Sequence, residues 1–308
     1  MYRNFKEMRD NLSSVAPKTI VVAAAHDEKS LEAVYSAAEV LPMQYILVGN
    51  RARIMEISSK LGKMPAENTI VEGGDNTDCV RKAVSLVREG RGHVLMKGIS
   101  ETGALLKAVL DKEIGIRDAT TMSHVAMLEV PAYHKLIAIT DAAMLTYPTG
   151  EQKADIVRNA VAFCRRIGID RPKVAALCAI ESVSDRMPET FDAKALQDMC
   201  KRGELGECLL EGPISFDLAV SSESARVKGY VSSIAGDADI LIVPNITVGN
   251  VLCKGLLYWG GAKMAGCVLG AKVPIAVVSR ASSAQEKLLS ILLCLKGGGA
   301  DGFPYSGD

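Results

Sequence analysis

Neither sign of charge prevails in this chain: 36 lysines and arginines face 36 aspartates and glutamates among 308 residues. A nucleic-acid binder carries a more basic balance, so nucleic acid is not expected as a partner. No apolar run reaches membrane-spanning length. Ile20 to Ala25 and Ile240 to Val243 are short and bounded by charges or turn residues. Eight cysteines are present but scattered singly, at 79, 164, 178, 200, 208, 253, 267 and 294, and none forms a C-x-x-C pair. Reduced, buried thiols are therefore expected rather than disulfides. His26, His93, His124 and His134 stand away from any cysteine at zinc-site spacing, and no structural metal is expected. With no signal peptide read at its start, the protein is expected to be soluble and cytoplasmic. Walker-type loop, H-E-x-x-H helix and nucleophile elbow are likewise missing. A G-x-G-x-x-G match at Gly297, Gly299 and Gly302 follows a helix and precedes none, so no helix amino end waits there for a pyrophosphate.

What is present is an ordinary globular composition, 48% apolar and 23% charged, in a chain long enough for two domains or one large α/β unit. Thr19 to Ala25 predicts a buried strand, and Leu31, Val34, Tyr35, Ala38 and Leu41 then recur at helical spacing. Tyr45 to Val48 and His93 to Met96 predict further strands, with Val80, Ala83, Val84 and Val87 on a helix between them. The pattern restarts after residue 135. Leu136 to Thr140, Val174 to Ile180 and Ile240 to Val243 predict strands. Ile156 to Ile167, Asp192 to Met199, Ser221 to Val227 and Val248 to Leu257 predict helices. Pro274 to Val278 and Ser283 to Leu295 predict a last strand and helix in the style of the first half. The alternation predicts a largely parallel sheet covered by helices. The expected domains are 1–135 with 270–308, and 136–269.

The most informative segment is Pro274-Ile-Ala-Val-Val-Ser279-Arg280, a strand that delivers a serine and an arginine just before a helix. Ligands of open α/β sheets bind at that end of a strand, and a guanidinium beside free N–H groups at a helix start suits a phosphate dianion. Taken alone, the pair also reads as a strand end with a solvated arginine. Glu286 falls two helical turns from Ser279, where it could face the same site, while Ser283-x-x-Glu286 also spells a capping box; both readings stand. Lys97, with Thr102 and Lys107 after it, puts cations near another strand's carboxyl end. Asn250 and Lys254 follow the turn-rich Pro244-Asn245.

The chain as a whole resembles the phosphate acetyl/butyryltransferase family. The resemblance runs through Val22-Ala-Ala-Ala-His-Asp27, Met96-Lys-Gly98, Ser123-His-Val125, Thr140-Asp-Ala-Ala143, Glu211-Gly-Pro-Ile-Ser-Phe-Asp217, Ala235 to Pro244, Gly249-Asn250 and Ser279-Arg280. The Met-Lys-Gly and Ser-His-Val stretches favour the butyryl branch over the acetyl branch.

The resemblance implies two α/β domains flanking a cleft, as in the isocitrate and isopropylmalate dehydrogenases, with the C-terminal segment rejoining the first domain. It implies reversible transfer of a short acyl group between coenzyme A and inorganic phosphate, with both as substrates and no cofactor. Arg280 then holds phosphate and Ser279 hydrogen-bonds the reacting oxygens. Glu286 stands where acetyl-transferring members carry an aspartate proposed as the thiol base. Lys107 stands where they carry a second phosphate-binding arginine, with Thr102 close by in sequence. Lys97, Asn250 and Lys254 are expected at the substrate cleft. The asparagine those members place a few residues after the position of Asp141 is missing here, with Met144-Leu145 in that region. A homo-oligomer coupled to an acyl-phosphate kinase is expected. Two other classes share the fold: an acyl-CoA-sensing regulatory module without transfer activity, and a metal-dependent decarboxylating dehydrogenase, which needs an aspartate cluster and a nicotinamide site.

Overall fold

The structure, a computed structural model, describes residues 1–12, 17–41, 43–277 and 282–298. It divides into two compact units. Lys6–Ala119 with Ala265–Asp308 make one, and Met1–Phe5 with Thr120–Met264 make the other.

After helix α1 (Phe5–Asp10), the first unit runs β1 (Lys18–Ala23), α2 (Glu28–Val40), β2 (Met43–Gly49), α3 (Arg51–Lys60), β3 (Ile70–Glu72), α4 (Asn76–Arg88), β4 (Val94–Lys97) and α5 (Thr102–Val109). In the second unit follow β5 (Ser123–Glu129), β6 (Ile137–Thr140), α6 (Gly150–Arg166), β7 (Lys173–Leu177), α7 (Glu189–Lys201) and β8 (Leu209–Ile214). It continues with α8 (Phe216–Val220), α9 (Ser222–Val227), β9 (Ile240–Ile242) and α10 (Ile246–Tyr258). The chain then returns to the first unit through β10 (Lys263–Leu269), β11 (Ile275–Ala276) and α11 (Ala284–Gly297).

Strands of the first unit lie in the order β3-β2-β1-β4-β11-β10. β1 runs parallel to both β2 and β4, and β11 parallel to β4, while β10 joins β11 antiparallel. A strand inside a helix-covered parallel sheet is buried on both faces, which is why β1 reads as a continuous apolar run instead of an alternating one. Ile20, Val21, Val22 and Ala23 are all buried. The helices follow the complementary rule. α4 buries Cys79, Val80, Ala83, Val84 and Val87 and leaves Arg81 and Lys82 exposed, and its start is fixed by Asp75, which accepts the N–H of Asp78 at 2.8 Å.

In the second unit the order is β5-β6-β9-β7-β8. β9 runs parallel to β6 and β7, and β7 to β8, while β5 pairs antiparallel with β6. Leu128, Ile139, Leu177, Ile214, Leu218 and Leu241 meet in its core. Charged side chains tie the amino ends of three strands together. Lys135, just before β6, reaches both Asp237 and Asp239 at 2.7 Å, and Asp239, just before β9, accepts the N–H of Lys173 at 2.8 Å at the start of β7. The opposite, carboxyl ends of the strands are left to loops and helix starts.

Candidate active site

In the first unit, the carboxyl ends of β1 and β4 form one turn system. The N–H groups of Gly98 and Ile99 donate to the carbonyls of Ala23 and Ala24 at 2.9 and 3.1 Å. The approach is close enough that a Cβ on Gly98 would stand 2.2 Å from the Ala24 oxygen, so only glycine fits. Ala24 itself takes φ 55°, a region that residues with a side chain seldom adopt and that concentrates at functional sites. Thus Val22–Asp27 and Met96–Gly98, far apart in sequence, are one structural feature. Lys97 is 1% exposed, and its ammonium donates to the carbonyls of Gly98 and Ser100, each at 3.1 Å. It holds the shape of this turn from inside.

Thr102 opens α5 and Lys107 lies in its last turn, both exposed. Five residues at 3.6 per turn set them roughly 140° apart around the helix, so α5 alone does not bring them to one face. Ser279 and Arg280 lie outside the described residues. Glu286 completes the capping box of α11. Its carboxylate accepts the N–H of Ser283 at 2.7 Å while the Ser283 hydroxyl accepts the N–H of Glu286 at 3.2 Å. The neighbouring Lys287, which sequence reasoning did not single out, is buried. Burial presses its pKa below that of an ordinary lysine, with Asp27 opposing the shift and Lys29 adding to it.

In the second unit, the ends of β5 and β6 meet the start of α10. Asp141, 2% exposed, accepts the N–H of His124 with one carboxylate oxygen at 2.9 Å. Its other oxygen accepts the N–H groups of Ala143 and Met144 at 2.9 and 2.8 Å. Gly249 sits against this loop, since a Cβ there would be 2.9 Å from both the Ala142 Cα and the Asp141 carbonyl oxygen. The Asn250 amide donates to the Ala142 carbonyl at 3.4 Å. Ser123-His-Val125, Thr140 to Ala143 and Gly249-Asn250 are therefore one assembly, organised by a carboxylate whose anchoring role the sequence reading had not assigned. Lys254 lies one turn after Asn250 and is exposed.

A pocket of about 540 Å³ opens at the ends of β7 and β9, lined by Leu177, Cys178, Phe216, Pro244, Val248 and Val251 among others. Burial, with Glu189 second, pushes the Cys178 thiol up to about 12, so it stays protonated and poorly nucleophilic at neutral pH. Among the described residues, no group of three or more His, Cys, Asp or Glu side chains is placed to hold a metal ion.

A family model described as phosphate acetyl/butaryl transferase matches residues 67–295. The chain belongs to that family. It is 40% identical over 293 residues to a phosphate butyryltransferase of Clostridium acetobutylicum, covering 95% of this chain and 97% of the relative. It is 41% identical over 275 residues to a phosphate acetyltransferase of Rhizobium meliloti, covering 89% and 87%. Among solved structures, a branched-chain phosphotransacylase from Enterococcus faecalis superposes with a TM-score of 0.81 at 35% identity, covering 91% of this chain and 98% of that one.

Proposed function

We propose that this chain is a phosphate butyryltransferase that moves a butanoyl group reversibly between coenzyme A and inorganic phosphate. The observation that carries this reading is the end-to-end match to a relative of that name. The similar identity to an acetyl-transferring relative makes acetyl-CoA the alternative acyl donor. In the reaction a phosphate oxygen forms a bond to the acyl carbon, the carbon–sulfur bond breaks, and the departing thiolate takes up a proton. The products are butanoyl phosphate and free coenzyme A.

The chemistry sets the roles. Phosphate needs cations, and the oxyanion that develops on the acyl carbon needs donors aimed at it. Arg280 provides a planar, permanently charged fork for phosphate, and Ser279 a hydroxyl for the reacting oxygens. Lys107 adds charge and Thr102 a hydroxyl for phosphate, Asn250 and Lys254 serve the substrates, and the buried Lys97 acts through the turn it holds instead of by contact. In the reverse direction the coenzyme A thiol, near pKa ~8.5 when unperturbed, must lose its proton. Glu286 is the proposed acceptor, acting from within its capping box. Direct transfer of this kind uses neither a covalent enzyme intermediate nor a metal, and the high pKa of Cys178 is in keeping with that.

The finer reading of the fold is the isocitrate/isopropylmalate dehydrogenase type, in cytoplasm, coupled to a kinase that consumes the acyl phosphate. Self-association is supported by α10 and its cap, where the exposed Val248, Val251, Tyr258 and Trp259 fall within about 100° of one another around the helix axis.

Arg280 gives the sharpest test of the phosphate site. Arg280→Ala is expected to lower kcat/KM for phosphate by ~10²-fold or more, with Arg280→Lys between the two and coenzyme A affinity much less changed. Unaltered phosphate kinetics with a lowered melting temperature would make it a structural arginine.

A further inference from the structure

Two of the eight cysteines meet across the turn that joins α7 to β8. Cys200 is the next-to-last residue of α7, and Cys208 immediately precedes β8. Their Sγ atoms lie 3.6 Å apart, and the Cys200 thiol also donates to the Cys208 carbonyl at 3.6 Å.

The backbone holds this placement from both ends. The N–H groups of Arg202 and Glu204 donate to the carbonyls of Asp198 and Met199 at 3.2 and 3.1 Å, which closes the end of α7 onto itself. Leu205, fully buried, anchors the middle of the turn. The N–H of Leu209 donates to the Pro172 carbonyl at 3.0 Å and fixes the start of β8 beside that of β7. Two sulfurs pinned in contact react with each other far faster than two that must first meet.

The two thiols differ in reach. Cys208 is 6% exposed, and burial pushes it up to about 12, with Cys200 adding to the rise, so it stays protonated at neutral pH. Cys200 is half-buried, and Lys201 to Glu204 after it are exposed. A small oxidant arriving from solvent meets Cys200 first, with Cys208 behind it. Cys267 and Cys294 also interact, but both are wholly buried in the first unit, out of an oxidant's reach.

We propose that Cys200 and Cys208 are a peroxide-reactive dithiol, in which Cys200 is the sulfur attacked and Cys208 the resolving thiol. The Cys200 thiolate attacks one oxygen of hydrogen peroxide, the O–O bond breaks, and hydroxide leaves and takes up a proton as water. Cys200 is then a sulfenic acid. The Cys208 sulfur attacks the Cys200 sulfur, the S–O bond breaks, and the Cys208 proton departs with the hydroxyl as a second water. Each sulfur has given one electron to the peroxide, and an S–S bond has formed. It ties the last turn of α7 to the start of β8 and stops Cys200 short of the irreversible sulfinic acid. A small thiol restores the pair by exchange, so the reduced form is the resting state in a reducing compartment.

The test treats the full chain, reduced and then freed of reductant, with hydrogen peroxide at a dose that fully oxidises the same concentration of free cysteine. Thiols are counted after denaturation, and peptides are mapped by mass spectrometry. The count is expected to fall by two from the eight of the sequence, with the peptides of Cys200 and Cys208 joined within one chain, and dithiothreitol should reverse both changes. In Cys208→Ser, dimedone should label Cys200, and continued peroxide should carry it to sulfinic acid. In Cys200→Ser, Cys208 should remain a thiol at the dose that closes the wild-type pair.

Eight thiols left in treated wild type overturn the proposal, as does a disulfide mapped to Cys267 and Cys294, to any other pair or between two chains. Wild-type Cys200 that accumulates sulfinic acid as readily as Cys208→Ser overturns it too, because Cys208 then resolves nothing. The wild-type map decides the matter even where a variant fails to fold.

Discussion

Gly98 lies so close to Ala24 that a Cβ on the glycine would fall 2.2 Å from the Ala24 carbonyl oxygen and 2.7 Å from that of Ala23. Five residues on, Gly103 sits in α5 with no atom within 4 Å of such a Cβ. The same substitution should therefore have opposite effects at the two positions. Gly98→Ala must push β1 and β4 apart at their carboxyl ends and should lower stability by about 2 kcal/mol or more, on the scale of overpacking. Gly103→Ala should raise it by about 0.5–1 kcal/mol through the better helix propensity of alanine. Urea denaturation of the two variants beside wild type checks both signs, and equal effects would contradict the turn geometry.

Asp237 joins His134, Lys135 and Lys173 at the amino ends of the second unit's strands, at 2.8, 2.7 and 2.5 Å. Burial alone would raise the pKa of its carboxyl, but hydrogen bonds from Lys135, Lys173 and His134 outweigh that and hold it well below the usual carboxylate range. A depressed carboxylate pKa stabilises the fold above the unfolded value, near ~4, and that contribution is lost as the pH falls toward the folded value. Wild-type melting temperature should accordingly drop between about pH 5 and pH 2. Asp237→Asn should lower stability at pH 7 by about 1 kcal/mol, a figure kept small because the side chain is partly in water, and should flatten the acid limb. An unchanged acid limb would place the acid sensitivity elsewhere.

Glu286 has a structural duty and a proposed chemical one, and a single substitution separates them. Glutamine also fits the third position of a capping box, so Glu286→Gln should leave stability within about 0.5 kcal/mol. Ser283→Ala, which removes the cap, should cost about 1 kcal/mol. If the carboxylate takes the thiol proton, Glu286→Gln lowers kcat from acyl phosphate and coenzyme A by ~10²-fold and removes the acid limb of the rate profile. Full activity in Glu286→Gln would leave the residue as a cap alone.

Much of this architecture was legible because buried parallel strands and amphipathic helices carry strong periodic signals. Thr19 to Ala25, the Val80 to Val87 stripe and Ile240 to Val243 are such segments, and each coincides with an element. β3, with three residues, is too short to show a period, and β8, Leu-Leu-Glu-Gly-Pro-Ile, is interrupted by turn residues. β5 passed unread for another reason. Ser123-His-Val-Ala-Met-Leu-Glu129 is buried along nearly all its length, so it shows no alternation, and it opens on a serine and a histidine instead of an apolar run. That is why the sequence reading began its second domain at 136, where the structure starts the unit at Thr120. At the candidate site, motifs were visible as short words, but their assembly was not. Nothing local in Asp141 announces three backbone donors from two segments. Lys287 looks like any helix lysine until its burial is seen.

The most direct test of the proposed function is a kcat/KM series over acetyl-, propionyl-, butyryl- and isobutyryl-CoA, following thiol release at saturating inorganic phosphate and without it. Release is expected only with phosphate and should survive dialysis against a chelator. Butyryl-CoA should exceed acetyl-CoA by ~10-fold or more, since each buried methylene contributes ~1–3 kcal/mol of discrimination. Acetyl-CoA as the preferred donor would move the chain to the acetyl branch, and release that ignores phosphate would contradict acyl transfer to phosphate altogether.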